Sequence, residues 1–476
     1  MSHTVSHPLA ERLLRTLGHA PTPGQQRAIE ALQRLLTTTT PQATLVLKGY
    51  AGTGKTTLVG ALVQVLRAER RPVVLLAPTG RAAKVLSAYA RQSASTIHRR
   101  IYRVGEGEDG FGLSLSANRD AGALFIVDEA SMIGTGGEGG LFRRDLLEDL
   151  FTHVFEHDDC RLLLIGDPAQ LPPVGSAESP ALDVKGLRER FGLAAGTVEL
   201  TDVVRQQEDS GILANATALR ALLRDPEPLP RFTLGSPDIT RTTGTDLQDE
   251  LESAFARFGD EEVCLITRSN KRAYQYSMQV RARIHGFEEE LNAGDRLMVV
   301  KNDYYWGARN GRPELIANGE LLEVLRVRDV EERYGHRFLW IEAAWYNGAE
   351  RREGEVLVML DVLALDAPAL PHARRRALQE AVVQGVAVRS RAALFRMLKE
   401  DPHVNALQVK YAYAVTCHKA QGGQWRGVFV DQGYITEEMI DTEYVRWLYT
   451  AITRASEKLW LVNFHPRFFG EDEDRA

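Results

Sequence analysis

Apolar residues recur at helical spacing from Leu9 to Leu17 and again from Gln25 to Leu36, with the turn signal Pro21-Thr22-Pro23-Gly24 between them. The pattern then becomes an alternation of short apolar runs and helical segments. Runs at 44–48, 73–77, 123–127, 161–166 and 263–267 read as strands, and 56–69, 80–90 and 144–153 read as helices. That rhythm predicts a parallel sheet covered by helices.

Two passages break it. Residues 101–121 carry Gly105-Glu106-Gly107-Glu108-Asp109-Gly110 between two short strand-like runs, which predicts a surface hairpin or protruding loop. Residues 320–366 give three β-rich runs, Leu321 to Val330, Phe338 to Trp345 and Val356 to Leu365, and read as a small barrel-like insertion. A basic helical stretch with Arg374-Arg375-Arg376 follows, and βα order resumes near Gln408 and continues to Val462. The fold class is therefore α/β, with two lobes that each carry an insertion. No internal repeat of 20–50 residues is evident.

Composition narrows this only a little. A chain of 476 residues implies about three or four domains or subdomains. With 44% hydrophobic and 26% charged residues it is an ordinary globular chain. A formal charge of −6 argues against a uniformly basic nucleic-acid binder but not against a local channel, and Glu471-Asp472-Glu473-Asp474 inflates the acidic count. Cys160, Cys264 and Cys417 lie far apart without metal-site spacing. Cys160 and Cys264 fall at predicted strands, so buried thiols and a reducing, cytoplasmic setting are expected. The first residues lack the apolar run of a signal peptide, and no run reaches the roughly 18 residues of a membrane span.

The chemistry starts at Gly49-Tyr50-Ala51-Gly52-Thr53-Gly54-Lys55-Thr56, set between a predicted strand and a predicted helix. Glycines there let backbone N–H groups converge on phosphate oxygens, Lys55 reaches toward the β and γ phosphates, and the Thr56 hydroxyl is placed to ligate Mg²⁺. Gly49, Gly52, Gly54, Lys55, Thr56 and Thr57 form the expected nucleotide-binding set. A second motif, Leu124-Phe125-Ile126-Val127-Asp128-Glu129-Ala130-Ser131, delivers two carboxylates at a strand's carboxyl end, where parallel sheets bind ligands. Asp128 suits Mg²⁺ held through water, and Glu129 suits polarisation of the attacking water. A strand ending in Gly166-Asp167-Pro168-Ala169-Gln170 offers Gln170 as a γ-phosphate sensor. Arg205, Arg268 and Arg454 each sit beside a regular segment, as an arginine presented across a cleft would. In Val415-Thr416-Cys417-His418-Lys419-Ala420-Gln421-Gly422, Thr416 and His418 are suited to donate to a phosphate backbone. No Cys/His cluster surrounds His418, which argues against a metal there.

Taken together the set resembles superfamily 1B DNA helicases of the RecD-like and Dda-like branch, and the likeness covers nearly the whole chain. It rests on Thr22 to Ala28, the 49–56 loop, Ala77-Pro78-Thr79-Gly80-Arg81-Ala82-Ala83, Thr96-Ile97-His98-Arg99, and Asp128 to Met132. It continues through Gly166 to Pro172, Val204-Arg205-Gln206, Val415 to Gly422 and Tyr449-Thr450-Ala451-Ile452-Thr453-Arg454-Ala455. One such motif is weak; the full set in order is specific.

The resemblance implies two RecA-like motor lobes, a short β-hairpin insertion in the first and an SH3-like insertion in the second. Residues 1–100 and 122–230 would form the first lobe, 101–121 a strand-separating hairpin, 231–319 and 406–470 the second lobe, 320–405 the SH3-like and helical insertion, and 471–476 an acidic tail. It implies ATP and Mg²⁺, with Gln25 reading the adenine edge and Lys55, Asp128, Glu129, Gln170, Arg205 and Arg454 catalytic. Thr79, Thr96 and His98 would contact single-stranded DNA from the first lobe, and Thr416, His418 and Lys419 from the second. Phe111 is the best wedge aromatic, although the acidic residues beside it would repel phosphate. The implied partners are single-stranded DNA and single-strand/double-strand junctions, with room for single-stranded DNA-binding or repair proteins, and a monomer suffices. The implied activity is 5′-to-3′ DNA unwinding and translocation. An ATP-driven nucleoprotein remodeler and an RNA helicase stay open as alternatives.

Overall fold

The computed structural model describes residues 9–107, 110–135, 145–204, 210–224, 229–310, 315–347, 350–384, 386 and 390–471, with 104–107, 110–113, 308, 347, 391, 392 and 395 described as backbone alone. It opens with α1 (Leu9–Leu17) and α2 (Pro23–Thr37). A capping box starts α2: the Thr22 hydroxyl accepts from Gln25 N, and the Gln25 side chain accepts from Thr22 N. Pro23 takes a first-turn position, where a missing N–H leaves no bond unmade.

The first lobe then builds β1 (Ala43–Gly49), β2 (Val73–Ala77), β3 (Ala94–Thr96), the hairpin β4 (Tyr102–Gly107) and β5 (Gly110–Leu115), β6 (Leu124–Val127), β7 (Arg161–Gly166) and β8 (Ala194–Leu200). Six of these form one sheet in the order β3-β2-β6-β7-β1-β8, with every pair parallel. Between them run α3 (Lys55–Ala68), α4 (Gly80–Ala90) and α5 (Ile97–Ile101). The period of two along each strand sends Leu45, Leu47, Leu163 and Ile165 to the face covered by α1 to α4. Val46, Phe125, Leu162 and Leu164 go to the face covered by α5 and the helices Leu146–Val154 and Val184–Phe191. Burial on both faces is why these strands read as unbroken apolar runs.

Strands β4 and β5 pair antiparallel from Tyr102 opposite Leu115 to Gly107 opposite Gly110, at the place where a hairpin is expected. Phe111 contributes backbone opposite Glu106, and its side chain lies outside the described residues.

The second lobe holds β9 (Ile239–Thr242), β10 (Val263–Thr267), β11 (Arg296–Val299), β12 (Leu321–Arg333), β13 (His336–Asn347), β14 (Glu350–Met359), β15 (Val409–Tyr411), β16 (Ala414–Thr416), β17 (Trp425–Asp431) and β18 (Ala455–Val462). The order β16-β10-β17-β18-β9 makes a second all-parallel sheet, so the 263–267 run belongs here rather than with the first four. The order β14-β13-β12-β11-β15 is antiparallel. Two bonds close it on itself: Met359 N donates to Leu407 O at 3.0 Å and Leu407 N to Leu357 O at 2.8 Å, two residues before β15. The insertion is thus a small closed β structure that takes β11 and β15 from the chain on either side.

One strand expectation changes. The run Val356 to Leu365 is not a single strand: β14 starts earlier, at Glu350, stops at Met359, and Asp361–Ala364 is helical. The Asp361 carboxylate holds His336 Nδ1 at 2.7 Å and anchors the turn that ends the strand. The basic triplet Arg374-Arg375-Arg376 lies on the helix His372–Val383, as expected.

Candidate active site between the lobes

At the carboxyl end of β1 the chain turns through Gly52 (φ 73°) and Gly54 (φ 80°) into α3. Gly54 is required twice, by its left-handed backbone and by space, since a Cβ there would stand 2.4 Å from Gln25 Nε2. Gln25 is fully buried against the loop, with Nε2 3.5 Å from Thr53 O. Lys55 Nζ donates to Gly49 O at 2.6 Å and to Tyr50 O at 2.8 Å, and stands 3.9 Å from Asp167 Oδ2. Thr56 and Thr57 open α3 with exposed side chains.

The strand order sets what surrounds this loop. Because β7 lies between β1 and β6, the Gly166–Gln170 turn separates the phosphate loop from the two acids after β6. Asp128 Oδ1 accepts from Glu129 N at 2.9 Å, and its Oδ2 accepts from the Tyr89 hydroxyl. Glu129 sits in the left-handed region (φ 52°), where a non-glycine residue signals a constrained turn. Burial pushes the Glu129 pKa upward, and Arg454 and Lys55 pull it back. Thr56 and Asp128 are hard oxygen donors of the kind that suit Mg²⁺, an ion that keeps several waters and takes few protein ligands. Among the described residues no cluster of three or more His, Cys, Asp or Glu side chains could hold a metal by itself.

The second lobe closes the cleft with the helix Thr442–Ile452 and the turn after it. Tyr449 donates its hydroxyl to Asp167 Oδ2 at 2.6 Å and accepts from the loop amide Ala51 N at 2.8 Å. Burial and the nearby Asp167 push its pKa well above the ordinary phenol value, so the hydroxyl stays protonated. Thr450 Oγ1 accepts from Leu171 N at 2.9 Å, and Gln421 Nε2 donates to Leu171 O at 2.7 Å. Arg446 Nη1 donates to Gln170 O at 3.2 Å. The Gln170 side chain is buried, and its oxygen has no hydrogen-bond partner. Arg454 is buried, donates to Thr450 O and Gly423 O, and places Nη1 3.9 Å from Glu129 Oε1.

Lys55, Asp128, Glu129, Gln170 and Arg454 therefore converge on one cleft. Arg205 lies outside the described residues; Val204 before it donates to Gly52 O at 3.0 Å. Arg268 lies over the Tyr444 ring and donates to Tyr434 O, both within the second lobe. Tyr89 is not named in the sequence reading, and Tyr449 stands there only as part of the 449–455 motif, without a role of its own. Tyr449 is buried and Tyr89 half-buried, so each hydroxyl needs a partner, but burial is set by the fold and residue type alone marks neither.

A second group of named residues lies at another part of the lobe contact. Thr79 caps α4, its hydroxyl accepting from Ala82 N at 3.2 Å. Gly422 (φ 70°) packs so closely that a Cβ there would lie 2.7 Å from Ala82 Cβ and 3.4 Å from Thr79 Oγ1. Arg81 spans the lobes, its guanidinium 3.8 Å over the Trp425 ring and Nη2 donating to Gln424 O at 3.0 Å. Thr96 is buried and caps α5 through Arg99 N at 3.2 Å, and the His98 ring lies 5.6 Å from Tyr102. Arg99 reaches across to Leu315 O at 2.7 Å. Thr416 and Lys419 line a small cavity of about 20 Å³ together with Asn270 and Lys410. Lys419 Nζ donates to Asn318 Oδ1 at 2.8 Å, and burial lowers the His418 pKa. No described helix is long and apolar enough to cross a membrane.

A phosphate loop and paired acids at the carboxyl ends of one parallel sheet, facing an arginine from a second, define a P-loop nucleotide-binding protein with two RecA-like lobes. Residues 21–224 match the family model of an AAA domain, and residues 411–462 match that of a UvrD-like helicase C-terminal domain. The ATP-dependent RecD2 DNA helicase of Deinococcus radiodurans is 36% identical over 177 residues, 37% of this chain and 21% of that protein. A probable conjugal transfer protein TraA of Sinorhizobium fredii is 25% identical over 328 residues, 63% of this chain and 26% of that protein. The chain thus spans about a fifth to a quarter of the length of these curated relatives. The Bacteroides Pif1 helicase crystallised with ADP-AlF3 and ssDNA aligns at 16% identity and a TM-score of 0.47, over 94% of this chain and 93% of that one. The chain is thus similar to helicases in two segments, an AAA domain over residues 21–224 and a UvrD-like helicase C-terminal domain over residues 411–462.

Proposed function

We propose that the chain is an ATP hydrolase that moves along single-stranded DNA, 5′ to 3′, and separates duplex strands at a junction. The observation that carries the reading is the reach of one second-lobe segment, 446–454. It contacts the phosphate loop at Ala51, the sensor turn at Asp167 and Gln170, and the acid Glu129. A change at the phosphates is thereby a change in what the second lobe holds.

In this reading Gln25 recognises adenine, the 49–57 loop and Lys55 cradle the phosphates, and Glu129 accepts the proton of the attacking water. Thr56 and Asp128 would hold Mg²⁺, which neutralises phosphate charge. Arg454, with Arg205, meets the charge that develops on the transferring phosphoryl group, and Gln170 relays phosphate state to the lobe contact. Thr79, Thr96 and His98 grip the strand from one lobe and Thr416, His418 and Lys419 from the other. Thr96 grips through its backbone turn, because its hydroxyl is buried in a cap. The closed insertion, made of 320–405 with β11 and β15 lent by the second lobe, serves as an SH3-like domain, and the β4–β5 hairpin as the wedge with Phe111 at the junction. The partition into lobes at 1–100 with 122–230, and 231–319 with 406–470, belongs to the same reading, as does work in the cytoplasm by a monomer alongside single-stranded DNA-binding or repair proteins.

The test compares ATPase stimulation by DNA and by RNA, then unwinding of duplexes with 5′ or 3′ single-stranded overhangs. DNA stimulation and opening from the 5′ overhang are expected. Preferential opening from the 3′ overhang overturns the polarity, and stimulation by RNA alone overturns the substrate.

A further inference from the structure

Helix α4 starts at the cap residue Thr79 and runs to Ala90, and Tyr89 on its last turn meets Asp128. The Tyr89 hydroxyl donates to Asp128 Oδ2, while Glu129 N donates to Oδ1 at 2.9 Å. Each carboxylate oxygen therefore has a fixed donor, which sets the rotation of the group and leaves a lone pair on each oxygen for water. Tyr89 is itself held from behind. Its carbonyl packs on Gly60 of α3, where a Cβ would come to 3.1 Å. One residue thus joins the phosphate-loop helix, the acid after β6 and α4. A phenylalanine would fill the same volume, so the hydroxyl calls for an explanation of its own.

We propose that Tyr89 is a positioning residue for Asp128: its hydroxyl orients the carboxylate toward the water shell of a nucleotide-bound divalent cation. This rests on the reading of Asp128 as the Mg²⁺ carboxylate. It makes α4 the rigid link between that carboxylate and Thr79, so a shift of the strand-gripping end of α4 is transmitted to the metal site. Groups that orient a metal's ligands typically matter by about 10–100-fold in metal affinity when removed.

The experiment titrates Mg²⁺ into the full-length chain with a fluorescent ADP analogue and reads binding rather than turnover. In Tyr89→Phe the Mg²⁺ concentration at half-maximal binding is expected to rise roughly 10-fold. Nucleotide binding in EDTA and the thermal midpoint are expected to stay unchanged. Asp128→Asn supplies the second arm. If Tyr89 acts through Asp128, adding Tyr89→Phe to Asp128→Asn moves the Mg²⁺ midpoint no further. An unchanged midpoint in Tyr89→Phe overturns the proposal, and so does a full additional shift in the double variant. Absence of any Mg²⁺ dependence in the unaltered chain, or in Asp128→Asn relative to it, overturns the metal-site reading and the proposal with it.

Discussion

The two ends of the lobe contact are built from different chemistry. At the nucleotide end the bonds are polar and join groups that a phosphate would also seek. Tyr449 takes up the loop amide of Ala51, Lys55 rests on loop carbonyls, and Arg454 faces Glu129. At the Thr79 end the contact is one of shape, with Gly422 seated against Ala82 and Arg81 laid flat on Trp425. Bonds of the first kind exchange partners when charge arrives, whereas close packing of the kind seen at Gly422 and Ala82 has a single good fit. On the proposed function, the polar end would rearrange and the packed end would turn as its pivot, carrying the Thr79 end of α4 with it.

The predictions aim at that division. Lys55→Ala at the polar end is expected to abolish ATP hydrolysis and ATP-driven movement, and unwinding retained by the variant would end the assignment. Arg454→Ala is expected to lower turnover about 10³-fold, in line with arginines that meet transferring phosphoryl groups, with nucleotide affinity changed far less. A matching loss in affinity would make Arg454 a binding group instead. At the pivot, Gly422→Ala forces a left-handed backbone and a clash with Ala82. It is expected to cost about 1–2 kcal/mol in denaturant unfolding and to uncouple DNA stimulation from basal hydrolysis. Equal stability and full stimulation would remove the pivot. Arg81→Lys keeps the charge and loses the flat stack, so a loss below about 1 kcal/mol is expected in the same assay.

What was legible in the sequence follows from burial. Strands 73–77, 161–166 and 263–267 matched to the residue because each is a continuous apolar run covered on both faces. β8 and β9 escaped notice because they are edge strands with mixed sequences, Ala-Ala-Gly-Thr-Val-Glu-Leu and Ile-Thr-Arg-Thr, and only some of their positions are buried. The run Val356 to Leu365 misled because apolar residues fill both the end of β14 and the helix after it, and periodicity over so few residues does not separate the two. Within the site, Lys55, Asp128 and Glu129 stood out by spacing. Tyr449 did not, because on a largely buried helix an aromatic reads as core until the second lobe is folded against the first.

All three native thiols, Cys160, Cys264 and Cys417, are buried, and burial raises the pKa of each, that of Cys264 to about 12. Few will be thiolates at neutral pH, and alkylating reagents attack the thiolate. The chain therefore arrives almost silent toward maleimide dyes. A pair of cysteines introduced on exposed sites, one per lobe, would take donor and acceptor fluorophores without first stripping out the native residues. Opening and closing of the cleft could then be followed on single molecules of an otherwise unaltered protein.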